Sequence, residues 1–258
     1  MKNFNRVGII TGASSGIGRN TALRIASDGF RVVLNGRNEK ELDLLKQEIN
    51  TQAGTEIAIV VAGDITDKKT LERCIDACEM HWNLIPSLFI ACAGRGLPGT
   101  LITSDEMQWE NLWNINVLGL QHQLKAISQV MIASREKDPE NKTPSDIVVL
   151  GSTIGRNVSP FNSVYGATKF ATHGLTEALR RELGPKGIRV TLIEPGLVAT
   201  NFQESAGYDM DWFENYCDEI GPVLVGDDVA KVIQFLVQMP ANVHLDNISI
   251  RPTRQSYP

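Results

Sequence analysis

The sequence is poor in the residues from which metal centres and disulfide scaffolds are made. It holds four cysteines and four histidines among 258 residues. Cys74, Cys78, Cys92 and Cys217 are scattered. Cys74 and Cys78 share a helix face, but no histidine or carboxylate cluster joins them, so no metal site is expected. All four are expected to be buried thiols in a reducing compartment. No apolar run approaches the ~20 residues of a membrane span, so no membrane partner is expected. Positive charge is in deficit: 25 Lys and Arg against 30 Asp and Glu leave a net charge of −5. A nucleic-acid binder favours the opposite, basic footprint. The N-terminus shows no signal-peptide pattern, which points to the cytoplasm. There is no internal repeat and no interdomain linker, so residues 1–258 read as a single domain. Its 42% hydrophobic and 21% charged residues are an ordinary globular composition.

What is present is alternation. Strand-like runs fall at Val7–Ile10, Arg31–Asn35, Ile57–Ala62, Leu88–Ala91, Ile147–Leu150, Arg189–Ile193 and Asn247–Arg251. Helical periodicity lies between them, near Gly18–Ser27, Lys40–Asn50, Lys68–His81, Trp109–Ser134, Val164–Leu183 and Asp227–Gln238. The strands are Val- and Ile-rich without strict alternation, which suggests burial on both faces. The expected fold is a single α/β, doubly wound Rossmann-type domain. It has a parallel sheet of about seven strands and helices on both faces. Ligands in such folds bind beyond the carboxyl ends of the strands. The polar stretch Arg135 to Asp146 breaks a helix and reads as a surface loop.

The first strand runs into TGASSGIG, Thr11 to Gly18. Three glycines sit where a strand ends and a helix begins. The unpaired N–H groups and positive dipole end of that helix make a site for a phosphate or pyrophosphate. The spacing Gly12-x-x-x-Gly16-x-Gly18 is not the common G-x-G-x-x-G. By itself it is equally a tight turn with no ligand. Further on, Tyr165-x-x-x-Lys169 places a phenol and an ammonium on one helix face. A neighbouring ammonium favours the phenolate and so lowers a tyrosine pKa from its free value near ~10. Ser152 follows the apolar strand IVVLG, at a strand's carboxyl end. Asn116 lies on the long middle helix. Each has a plainer reading: a solvated helix face, a strand-end hydroxyl, a capping or kink amide.

Taken together in this order, the motifs resemble those of the short-chain dehydrogenase/reductase family, in its compact, non-extended branch. The resemblance covers almost the whole chain. TGASSGIG matches the family's TGxxxGxG cofactor turn, which implies contacts from Gly12, Ser14, Ser15, Gly16, Ile17 and Gly18. Asp64 and Ile65 in AGDIT match its adenine-side aspartate segment. Ala93 and Gly94 stand in the family's NNAG, here ACAG, and keep the small residues that let a cofactor approach. YGATK matches the active-site YxxxK, with Ser152 and Asn116 at the matching places. EPGLVAT matches the turn that covers the nicotinamide, implying Pro195, Gly196, Val198 and Thr200.

The resemblance implies catalytic roles for Asn116, Ser152, Tyr165 and Lys169. Tyr165 would exchange a proton with the substrate oxygen and Ser152 would bond that oxygen. Lys169 would lower the tyrosine pKa and hold the nicotinamide ribose. Asn116 would anchor a water leading to solvent. Tyr165 and Lys169 thus count as cofactor contacts too. A homotetramer or dimer is implied, through the long helices Trp109–Ser134 and Val164–Leu183. The C-terminus, IRPTRQSYP, lacks the family's glycine pair. Two other classes stay in view: a nicotinamide-nucleotide-binding regulator without catalysis, and an epimerase or dehydratase with a retained cofactor.

The second strand ends VVLNGRNEK, with Gly36 where NAD-preferring folds carry an acidic residue for the ribose 2′-hydroxyl. No carboxylate is there to repel a 2′-phosphate, and Arg37 follows to pair with one. NADP(H) is therefore the expected cofactor. Asn201 to Gly221 carries five aromatics beside six carboxylates. It reads either as a lid over the pocket or as an amphipathic helix packed on the core. Arg95 is the cation expected nearest the pocket. The small-molecule partner is expected to be a neutral or weakly polar carbonyl or alcohol. The runner-up is a small 3-hydroxy or 3-oxo acid clamped by Arg95.

Overall fold

A computed structural model describes residues 5–140 and 143–257. Strand and helix alternate from the start: β1 (Val7–Thr11), α1 (Gly16–Ser27), β2 (Arg31–Gly36), α2 (Glu39–Ala53), β3 (Ala58–Ala62), α3 (Lys68–Trp82) and β4 (Leu88–Ala91). Next come α4 (Trp109–Trp113), a π-helical turn at Asn114–Gly119, α5 (Leu120–Lys137), β5 (Ser145–Leu150), α6 (Ser163–Leu183) and β6 (Ile188–Pro195). A two-residue pair, β7 (Val198–Ala199) and β8 (Leu224–Val225), brackets α7 (Phe202–Ser205) and α8 (Met210–Ile220). Helix α9 (Gly226–Val237) and strand β9 (Asn247–Ile250) complete the order.

The large sheet has seven parallel strands in the order β3-β2-β1-β4-β5-β6-β9. Chain direction across the sheet reverses between β1 and β4, where Thr11 pairs with Ala91. A crevice opens outside the carboxyl ends of strands at such a reversal. Alternate strand residues feed two cores. Ile10, Val32, Leu34 and Ile90 face α1, α2 and α9, whereas Ile9, Val33, Phe89 and Val149 face α3 and α5. Burial on both faces is why the strands read as continuous apolar runs. Among the described residues no helix is long and apolar enough to cross a membrane.

Three local expectations are corrected. The helix expected over Trp109–Ser134 is interrupted by the π turn. There Asn116 reaches across to the backbone of Arg95, and such bulges mark a side chain diverted from regular helical packing. The polar stretch 135–146 is regular structure at both ends. Arg135–Lys137 ends α5, and Ser145 and Asp146 begin β5. Asp146 is buried there because Arg6 and Arg189 pair with its two oxygens at 2.8 and 2.7 Å. Asn141 and Lys142 lie outside the described residues. Of the four free thiols, only Cys74 and Cys78 are buried; Cys92 and Cys217 are half-buried, at a strand end and on the short helix α8.

Candidate active site

The glycine turn after β1 is shaped by contacts that exclude side chains. Gly12 has a left-handed backbone, φ +66°, and a Cβ there would stand 2.9 Å from the Ala93 amide nitrogen. A Cβ on Gly18 would overlap the Gly12 carbonyl. The spacing thus folds the turn against the residues after β4 and seats α1 directly upon it. Ser15 is the N-cap residue of α1, with extended backbone and no capping bond from its side chain, and no acidic residue stands in the first turn. The first N–H groups of a twelve-residue helix are left for an anion.

Other cofactor candidates converge on this turn. Gly36 ends β2 beside Ser14, close enough that a Cβ would lie 3.2 Å from the serine Oγ. Arg37 follows it and is exposed. Asp64 follows β3; its carboxylate accepts from the Thr66 N–H and hydroxyl, both at 2.8 Å, and Ile65 is buried behind it. Ala93 donates its N–H to the Thr11 hydroxyl at 3.3 Å. Gly94 packs beneath the Asn116 amide. On the far side, Pro195 ends β6 and Gly196 donates to the Ile250 carbonyl at 2.8 Å. Val198 receives the Gln203 amide at 3.0 Å, and a Cβ on Gly16 would stand 3.4 Å from the Thr200 side chain. The turn after β6 therefore closes over the turn after β1.

Ser152, Tyr165 and Lys169 come together beyond β5, and all three are buried. Ser152 caps a short 3-10 turn, its Oγ accepting the Ile154 N–H at 3.3 Å. Lys169 donates to the Leu150 carbonyl at 2.9 Å and lies 5.8 Å from the Tyr165 ring centre. Burial pushes the Tyr165 phenol up to about 12, against a hydrogen bond with Ser152 that favours the phenolate. Burial also lowers the Lys169 ammonium to about 8. Desolvation therefore outweighs the help the lysine was expected to give the tyrosine. Asn116 accepts the Arg95 N–H at 2.9 Å through Oδ1. Its Nδ2 donates to the Arg95 carbonyl at 2.9 Å and to Thr168 Oγ1 at 3.1 Å. The amide pins the segment after β4 to α6.

The 201–221 segment divides its aromatics. Phe202 stands 6.0 Å from the Tyr165 ring, tilted by 58°. The Tyr208 hydroxyl donates to Asn162 Oδ1 at 2.7 Å, and Phe213 is buried. Trp212 and Tyr216 stack on each other at 5.4 Å, with Trp212 exposed. Arg95 directs its guanidinium to Gln108 Oε1 and, at 3.4 Å, to the Gly96 carbonyl.

Several neighbours of the site escaped sequence reasoning. Behind Ser152 lie His173, Glu194 and Arg156. Glu194 is the one carboxylate of β6, a strand buried along its whole length, and an acid in such a strand signals a buried partner. His173 follows Lys169 by one helical turn. The C-terminal segment returns to the site: Gln255 accepts the Leu197 N–H at 2.8 Å, and Tyr257 bonds the Val158 carbonyl.

The profile of the short chain dehydrogenase family matches residues 6–211. An uncharacterized oxidoreductase of Staphylococcus epidermidis is 30% identical over 247 residues, 96% of this chain and 97% of its own. Sulfoacetaldehyde reductase 2 of Chromohalobacter salexigens is 31% identical over 251 residues, 96% and 95% of the two chains. Among solved structures, the closed form of serine dehydrogenase complexed with NADP+ matches with a TM-score of 0.84 at 25% identity, over 97% of this chain and 96% of that one. L-Sorbose reductase from Gluconobacter frateurii, solved with NADPH and L-sorbose, shares the fold at a TM-score of 0.81 and 20% identity, over 98% of each.

Proposed function

The chain belongs to the short-chain dehydrogenase family, and from that premise we propose an NADP(H)-dependent oxidoreductase that interconverts a carbonyl and an alcohol, with Tyr165 as acid and base. The observation that carries the reading is the burial of a serine hydroxyl, a phenol and an ammonium together, beside an open helix N-terminus. The glycine cradle fits a dinucleotide. Ser14, Ser15, Gly16, Ile17 and Gly18 would hold its pyrophosphate, Arg37 its 2′-phosphate, and Asp64 and Ile65 its adenine. Ala93, Gly94, Pro195, Gly196, Val198 and Thr200 would line the nicotinamide half. NADP+ in serine dehydrogenase and NADPH in L-sorbose reductase support that choice. A nicotinamide held there would supply or accept the hydride.

The chain's own residues do the rest. Ser152 bonds the substrate oxygen and stabilises its charge as it develops. Tyr165 delivers a proton to that oxygen in reduction and removes it in oxidation. A phenol held near pKa 12 is protonated at neutral pH, the form reduction needs. Lys169 bonds the ribose and, as an ammonium, favours the phenolate when the proton leaves. Asn116 keeps the segment after β4 in place and would anchor a water leading from Lys169 to solvent.

Residues 201–221 form the lid of this single domain, with Phe202 and Tyr208 as its apolar wall. Arg95 is already engaged with Gln108, which favours a neutral or weakly polar substrate. The name of the halophile relative favours a second reading, because sulfoacetaldehyde is an anionic aldehyde. In that reading Arg95 releases Gln108 and clamps a small 3-oxo or 3-hydroxy acid. Neutral carbonyls and 3-oxo acids, assayed with NADPH in wild type and Arg95→Ala, separate the two. Acids turning over best, and lost selectively in the variant, would overturn the neutral reading. We propose a cytoplasmic homotetramer or dimer. Exposed Trp113, Leu118 and Phe170 on the middle helices supply the contact, and a concentration-independent monomer in light scattering contradicts it.

A further inference from the structure

Ser152 is held from behind by a second polar group that the proposed chemistry does not use. His173 lies one turn beyond Lys169 on α6, and its Nε2 accepts the Ser152 backbone N–H at 3.3 Å. The ring slots between Gly151 and Gly155, the glycines on either side of the serine. A Cβ on Gly151 would stand 2.5 Å from Nε2, and one on Gly155 would overlap it. Neither position tolerates a side chain while the ring is there. On the other edge of the ring, Nδ1 stands 3.5 Å from Glu194 Oε1. Glu194 is fully buried on β6, accepts Arg156 at 2.7 Å, and accepts the Asn247 amide at 2.9 Å.

We infer that His173 and Glu194 are positioning residues for Ser152. Glu194 fixes the tautomer of His173, and His173 in turn fixes the backbone from which the serine hydroxyl projects. This rests on the proposed role of Ser152 and extends it to the layer behind. An imidazole that accepts through Nε2 carries its proton on Nδ1, and a carboxylate facing Nδ1 stabilises that form. The charged groups facing His173 are Glu194 on β6, Lys169 on its own helix, and Arg156 from the segment after β5. Burial holds His173 down to about 4, with Glu194 pulling the other way and the two cations adding to the fall. The ring is thus neutral, and Nε2 an acceptor, throughout the physiological range. Glu194 is likewise kept ionised: burial would raise it, but the bonds from Arg156 and Asn247 and the Arg156 charge hold it below its ordinary value.

The alternative is a histidine that merely fills space, and two readouts separate the cases. The first needs no turnover. In 15N spectra of protein labelled at its four histidines, His173 is expected as the Nδ1–H tautomer, with no titration between about pH 5 and 8. Glu194→Gln, whose amide can donate to Nδ1, is expected to shift it toward the Nε2–H form. A wild-type ring protonated on Nε2, or titrating near its ordinary ~6.5, overturns the inference.

The second readout is kinetic. His173→Leu is expected to lower carbonyl-reduction kcat by roughly tenfold, since small displacements of a catalytic group are costly, with the NADPH dissociation constant within about twofold of wild type. His173→Gln, whose Oε1 falls near the Nε2 position, is expected to recover most of that loss. In a Ser152→Ala background His173→Leu should cost nothing further, because the group it positions is gone. Equal losses in both backgrounds, or no rescue by glutamine, would show that the histidine does not act through Ser152. Absence of turnover in wild type would instead remove the proposed reaction and leave the spectra to decide the pair.

Discussion

The proposed preference for NADP(H) rests on Gly36 and Arg37, and its consequence can be sized. Arg37 is exposed at the end of β2, so a guanidinium–phosphate pair there is only partly desolvated. Charge-assisted bonds contribute about 1.5–3 kcal/mol, and exposure argues for the lower end, roughly tenfold. Arg37→Ala is therefore expected to weaken NADPH by about tenfold and NADH by less than about twofold. Because screening acts over about 8 Å at physiological ionic strength, the gap should narrow as salt is raised. The converse change is Gly36→Asp. Gly36 is not among the glycines with positive φ, so an aspartate meets no backbone strain. Its Cβ would be tight only against the Ser14 Oγ at 3.2 Å, the end of a side chain that can rotate, with Ser14 Cβ at 3.4 Å and Leu42 Cδ2 at 3.6 Å in ordinary contact. That carboxylate would repel a 2′-phosphate and accept from a 2′-hydroxyl, so preference should swing toward NADH. Calorimetric titration of both nucleotides, with no substrate present, measures all of this. A wild type that prefers NADH, or an Arg37→Ala variant that weakens both nucleotides equally, refutes the reasoning.

Further outcomes follow from other parts of the fold. Burial raises the Tyr165 phenol to about 12, so the protonated form persists to high pH. Alcohol oxidation, which needs the phenolate, should therefore accelerate as pH rises, whereas carbonyl reduction should hold level through neutrality; oxidation that slows with pH contradicts this. Asp146→Asn leaves Arg6 and Arg189 buried without their anion, at a cost of about 3–5 kcal/mol. The thermal midpoint should then fall by about 10 °C in a chain of this size, and a fall below about 3 °C would show the triad to be dispensable. Gln255→Leu removes the acceptor of the Leu197 N–H in the turn after β6, where the nicotinamide half is proposed to bind. Nucleotide affinity should drop severalfold, and unchanged affinity would place the C-terminal segment outside the site.

The sheet was legible because its inner strands are buried on both faces. Runs such as IVVL and VVLN have no other stable home, and their ends were missed by only a residue or two. The glycine turn, Ser152 and the Tyr165–Lys169 pair were legible because their chemistry is packed into contiguous motifs. What the sequence hid depends on contacts across the chain. Asn116 breaks the middle helix only because Arg95 lies 21 residues away in sequence and 2.9 Å away in space. Asp146 looked like part of a polar loop, since nothing local says that Arg6 and Arg189 converge on it. Likewise His173 and Glu194 are 21 residues apart, on different elements. Only the single acid of the buried strand β6 hinted that a partner waited there. Lys169 was expected to ease the ionisation of Tyr165. Proximity was legible, but the larger effect of burial emerges only when α6 packs on the sheet.

The most direct test of the proposed reaction is Tyr165→Phe, assayed beside wild type for the carbonyl-dependent loss of reduced-nicotinamide absorbance. The phenol is buried against Ser152 and Phe202, so removing one oxygen leaves the packing and the glycine cradle in place. The prediction is substrate-dependent NADPH oxidation by wild type, with turnover abolished in the variant and NADPH binding retained. Turnover in Tyr165→Phe close to that of wild type would contradict the assignment of Tyr165 as the proton carrier.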